Sequence, residues 1–167
     1  TRKLIALRKT YPILHRGRFL AGTYNEELDV KDVTWLSPTG EEMEAAQWQD
    51  ANAKCFGMLL DGRAQPTGIK RRGDDATLLL MMNAYHDVVM FTLPHVPEGK
   101  RWVLLIDTNA PDRTDAPAFE FGQAYEVTGR SLLVFVLGVE DRQPRNLRQG
   151  IGAILDIAER PVETADL

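Results

Sequence analysis

Two serines, one cysteine, three histidines and adjacent acids such as Glu41-Glu42 and Asp74-Asp75 are the groups through which this chain could do covalent or acid–base chemistry. A nucleophilic serine needs a neighbouring base and a strained turn that lifts its hydroxyl clear. Ser37 instead precedes a turn proline, and Ser131 opens an apolar run. Cys55 lies within an apolar run, the setting of an inert small hydrophobe rather than of an activated thiolate. His15, His86 and His95 have no zinc-site spacing. Hydrolysis of a glycosidic bond by retention needs two carboxyls roughly 5 Å apart in a cleft, one kept protonated. Acids adjacent in exposed turns or at a helix start do not meet that demand; they complement helix N-termini and build turns. Gly150-Ile151-Gly152 lacks the third glycine and the preceding strand of a dinucleotide loop. Lys70-Arg71-Arg72 is a short basic run in an acidic protein, and it reads as a solvated loop. No catalytic residue, metal site or cofactor is assigned on these grounds.

Aromatic side chains offer a different chemistry. A flat apolar face with a polar rim can stack on a sugar ring. Tyr85 and His86, in a polar turn between two apolar runs, and Trp48, on a short helical stretch, are the candidate carbohydrate-contact residues. Packing against a neighbouring domain is the competing role for all three. Trp35 and Trp102 fall within expected strands and are expected to fill the core.

The elements that must position these groups read as mainly β. Residues 78–82 and 88–93 are strands around the turn 83–87, together read as a hairpin. Further strands are expected over 32–36, 54–60, 101–107, 120–127 and 131–137. Loops are expected over 65–75 and 108–117. Short helices are expected over 1–11, 41–50 and 148–160. Strands punctuated by turns every 8 to 15 residues or so, with no long helices between them, imply an antiparallel β-sandwich rather than a parallel sheet.

Composition bounds the partners. With 44% hydrophobic residues, the 167-residue chain can bury a core unaided. A net charge of −4 provides no basic footprint for nucleic acid or an anionic membrane. No apolar stretch is long enough for a membrane span. One cysteine fits a reducing, cytoplasmic compartment. The start at Thr1, directly into a helical pattern, reads as a piece of a longer polypeptide.

Several ordered segments resemble the C-terminal region of bacterial glycogen debranching enzymes, isoamylase-type members of the α-amylase superfamily. LIALRKTYPIL (4–14) is similar to the last helix of the catalytic barrel and its exit. KDVTWLSPTGEEMEAAQW (31–48), FGMLLDG (56–62), LLLMMNAYHDVVMFTLP (78–94), WVLLIDT (102–108) and YEVTGRSLLVFVL (125–137) follow in the family's order. The resemblance implies three parts: a barrel-derived helix over 1–14, a C-terminal β-sandwich over 15–138 and a tail over 139–167. It also implies an intact enzyme that hydrolyses α-1,6 branch linkages in glycogen or limit dextrin. Its catalytic carboxylate motifs do not occur in these residues, so an inactive accessory domain is expected, with its own catalytic barrel as partner. Glycogen or branched maltooligosaccharide is the implied ligand. The alternatives are a glucan-binding module, or a structural domain that self-associates through an exposed N-terminal helix.

Overall fold

Leu78 to Asn83 is apolar on both of its alternating sides, so the strand it forms must be covered on both faces. A computed structural model, which describes residues 2–15, 17, 19–26, 30–64 and 75–138, has such a sheet. Helix α1 (Arg2–Thr10) leads into a 3-10 turn (Pro12–His15), and β1 (Tyr24–Asn25) pairs with β2 (Val30–Lys31). Strand β3 (Val33–Leu36), helix α2 (Ala45–Trp48), β4 (Cys55–Leu60) and β5 (Leu78–Asn83) follow. The remaining strands are β6 (Val89–Thr92), β7 (Arg101–Asp107), β8 (Ala118–Glu120), β9 (Ala124–Val127) and β10 (Ser131–Gly138). Six of them form one antiparallel sheet in the order β3-β4-β5-β10-β7-β8, while β6 and β9 form a two-stranded ribbon. The basic run 70–72, the glycines at 150 and 152 and the helix expected over 148–160 lie outside the described residues.

The inner face of the large sheet meets the ribbon. Leu79 and Met81 of β5, Leu133 and Phe135 of β10, and Trp102 and Leu104 of β7 pack against Phe91 and Val127. Trp102 is fully buried, and its indole N–H donates to the Pro94 carbonyl at 2.9 Å, which satisfies the one polar group it carries inside. Gly57 makes this packing possible. A Cβ there would sit 2.8 Å from the Phe91 ring and 3.3 Å from Leu36 Cβ.

The outer face presents the complementary set. Cross-strand partners run Trp35, Met58, Leu80, Val134 and Ile106 in one row. Helix α1 and the 3-10 turn cover part of it, as Leu7, Tyr11 and Ile13 bury among Val33, Leu60 and Leu78. The Lys3 ammonium donates to the carbonyls of Pro111 and Arg113, at 2.8 Å each, and ties α1 to the loop after β7. Arg8 and Lys9 in its last turn complement the helix dipole.

Four expectations are corrected. The two apolar runs around Asn83 to Asp87 are not a hairpin. β5 pairs with β4 and β10, β6 pairs with β9, and the turn carries the chain from one layer to the other. An apolar–turn–apolar sequence serves either geometry, and here the buried Asn83 decides. Its amide donates to the carbonyls of Asp87, Val127 and Thr128 at 3.0, 2.9 and 3.2 Å, locking this crossing to the one between β9 and β10. The helix expected over 41–50 shrinks to Ala45–Trp48, because Glu42 bridges to Leu36 and Met43 N–H donates to Trp35 O, both extended-chain contacts. The run 120–127 breaks at Gly122, whose φ of +74° suits glycine and divides β8 from β9. Trp102 is core, but Trp35 lies on the outer face, half-buried and edge-on to Trp48 with centroids 5.7 Å apart.

Candidate functional site

A groove of about 560 Å³ opens where the first crossing, helix α2 and the start of β4 meet. Its walls are Ser37 and Pro38, Met43 and Gln47, Asp50 to Cys55 without Ala51, and Tyr85 with Val89. Each wall has a local cause. Ser37 begins a turn closed by Gly40 N–H on Ser37 O at 2.9 Å, and Thr92 N–H on Pro38 O fastens that turn to β6. Gly40, at φ +84°, takes the left-handed conformation this turn requires. Glu44 and Gln47 form a reciprocal capping box that starts α2, with Glu44 N–H donating to Gln47 Oε1 at 2.9 Å. Asp50 accepts from Asn52 N–H at 2.8 Å in an Asx turn, which delivers Asn52 to Lys54 to the edge of β4. Tyr85 N–H donates to Asn83 Oδ1 at 2.9 Å, and Arg130 N–H to Tyr85 O at 2.9 Å, so the crossing that carries the tyrosine is held from both sides.

The three sequence-derived carbohydrate candidates do not converge. Tyr85 lines the groove. His86 is exposed beside it, ring centroids 4.2 Å apart, but is not part of the wall. Trp48 follows Gln47 on α2, and one residue of helical rotation turns it from the groove to Trp35. Sequence reasoning missed Gln47, Asp50, Asn52 and Lys54. They converge through an Asx turn and a four-residue helix, which leave no periodic signal; only the polar cluster between α2 and β4 hints at them.

Cys55 forms part of the groove and is buried, and burial pushes its thiol up to about 11. At pH 8 that leaves on the order of 100-fold less thiolate than an ordinary cysteine two units lower. Labelling by an aromatic disulfide reagent is expected to be slower by at least that factor in the folded chain and to climb about tenfold per pH unit toward 11. Labelling in native buffer at the rate of a small-molecule thiol would refute this burial.

Elsewhere, Asp75 is pushed up by burial, against the pull of the Ala76 and Ile13 amides and of His15, and its Oδ2 has no hydrogen-bond partner. The Tyr11 hydroxyl, also without a partner, is raised by burial and by the Asp75 charge. These atoms belong to the packing of the 3-10 turn on the outer sheet face. No group of three or more metal-ligating side chains occurs among the described residues, and none of their helices is long and apolar enough to cross a membrane.

Known proteins resemble this sequence. The family described as isoamylase, C-terminal, matches residues 32–136. The glycogen operon protein GlgX homolog of Mycobacterium tuberculosis (strain ATCC 25618 / H37Rv) is 33% identical over 136 residues, which cover 80% of this chain and 19% of that protein. The isoamylase of Pseudomonas amyloderamosa is 25% identical over 143 residues, 80% of this chain and 16% of its own. A Flavobacterium isoamylase is 25% identical over 146 residues, covering 81% and 18%. The chain thus spans less than a fifth of the length of these curated relatives. The matched interval takes in everything from β3 through most of β10, both layers of the sandwich and the whole groove, and on that match the chain belongs to the isoamylase C-terminal domain family.

Proposed function

We propose that this chain is the C-terminal accessory domain, residues 15–138 being the sandwich proper, of a cytoplasmic debranching enzyme that hydrolyses α-1,6 linkages in glycogen or limit dextrin. The domain itself performs no hydrolysis; it covers apolar surface of a catalytic barrel and stabilises it. The observation that carries this is the family match over residues 32–136, together with relatives named isoamylase that are several times longer. The outer sheet face supports it physically. Trp35, Met58, Leu80, Leu105 and Ile106 are only half-buried there, and Leu4 and Ile5 of α1 are 54% and 50% exposed. Such a face gains stability when a second apolar surface excludes water from it. Helix α1 then sits between the two bodies as the last helix of the barrel, and residues 139–167 follow as a tail.

The residues encoded upstream of Thr1 test the parentage: a β/α barrel carrying paired carboxylates is expected, and any other architecture overturns it. Incubating the chain with glycogen tests its own role, and release of linear chains would contradict inactivity. A second role, that of a glucan-binding module, is supported by the exposure of Tyr85, His86 and Trp48. Self-association through α1 is the third, and rising sedimentation coefficients with concentration would reveal it.

A further inference from the structure

We infer that the groove beside Tyr85 is a binding site for a single neutral α-glucan chain. This rests on the reading of the chain as part of a debranching enzyme and narrows the glucan contact to one place.

Four features of the lining point to that ligand. The first is charge: Asp50 and Lys54 bring one of each sign, so the site attracts neither anions nor cations as a class. The second is polarity. The Asn52 amide and the Gln47 amide nitrogen, with the Asp50 carboxylate and the Lys54 ammonium, bring both donors and acceptors to the lining, which suits a ligand whose every hydroxyl is both. The third is an apolar lining, from Pro38, Met43 and Val89, suited to the C–H face of a pyranose, with the Tyr85 ring as a stacking surface. The fourth is size, since about 560 Å³ falls within the roughly 300 to 1,000 Å³ of small-molecule sites.

The site is also largely pre-formed. Backbone hydrogen bonds from Thr92 to Pro38, from Ala84 to Lys54 and from Arg130 to Tyr85 hold three of its walls, at 2.9, 2.8 and 2.9 Å. Little ordering is left to oppose binding. A site here that holds one chain of a branched polymer raises the effective concentration of its other chains for the enzyme of which this domain is part.

The test uses the 167-residue chain and maltoheptaose, a linear neutral α-1,4-glucan. Retarded migration in gels containing glycogen is expected, as is saturable slowing of Cys55 labelling by maltoheptaose. Tyr85→Ala should weaken retention about five- to tenfold. Tyr85→Phe, which keeps the ring, should retain most of it, so loss on Tyr85→Ala with unchanged circular dichroism reports the contact and not misfolding. Trp48→Ala, on the far side of α2, should change nothing. Cellohexaose, a β-linked glucan, should compete at least tenfold less well. Absence of retardation, equal loss on Trp48→Ala, or a Cys55 rate indifferent to maltoheptaose each overturns the site. The two readings fail separately: a catalytic barrel upstream with no glucan retention removes this site alone, whereas retention without such a barrel removes the debranching parent.

Discussion

Asn83→Asp is expected to cost the fold on the order of 3 to 5 kcal/mol at neutral pH, among the largest effects of any near-isosteric change in this chain. Asn83 is 2% exposed, and its Nδ2 faces three carbonyl oxygens while its Oδ1 accepts from Tyr85 N–H. A carboxylate there turns three attractions into repulsions and buries an unpaired charge. The new group would have its folded-state pKa raised above its unfolded value. The folded state therefore binds a proton more readily than the unfolded one, and the penalty shrinks as pH falls through that raised pKa. Urea denaturation at pH 7 and pH 5 checks both parts. Asn83→Leu, which cannot donate at any pH, should lose about 3 kcal/mol equally at the two pH values, from carbonyls left without partners. A loss under about 1 kcal/mol for Asn83→Asp, or one independent of pH, would mean that Asn83 does not lock the crossings. Against a typical domain stability of about 5 to 15 kcal/mol, the loss is a large share of what holds the fold.

The second large effect belongs to Gly57 and Phe91, which behave as one unit. Phe91→Ala should cost about 3 to 5 kcal/mol, because a fully buried ring leaves a cavity between the layers. Gly57→Val should cost about 1 to 3 kcal/mol for the opposite reason: its new Cβ must share space with the Phe91 ring, 2.8 Å away, and with Leu36 Cβ, 3.3 Å away. Combined with Phe91→Leu, the valine finds room, so the double variant should be more stable than the sum of the singles by about 1 kcal/mol. Simple additivity in a denaturation cycle would show that the clash is relieved elsewhere.

The strands were legible because their signal is local. Arg101–Asp107 reads from its own apolar run, and Cys55–Leu60 and Ser131–Gly138 do so within a residue or two of their ends. Partnership was not legible, since it is decided by groups far apart in sequence. The sequence NAYHDV at 83–88 looks the same whether the chain turns back on itself or steps between layers, and only the carbonyls of Val127 and Thr128 choose. For the same reason Trp48 and Tyr85 were grouped by side-chain type, although α2 turns one to the outer face and the crossing turns the other to the groove. Glu42 has the propensity of a helix former, but pairing with Leu36 overrides it, a tertiary effect with no local signature.

The place of β10 in the large sheet sets an order on how the chain is made. It is the last strand among the described residues, yet it lies between β5 and β7 and pairs with both. β3, β4 and β5 can zip together as a meander as they leave the ribosome, and β7 with β8 can form a small pair. Neither half can join the other until residue 138 has emerged. Until then Leu78 to Asn83 and Arg101 to Asp107 are unpaired apolar edges, the kind that recruit strands from other molecules. Closure of the sheet therefore waits until Ser131 to Gly138 have been made, and a nascent chain halted before Ser131 presents two such edges for a chaperone to hold.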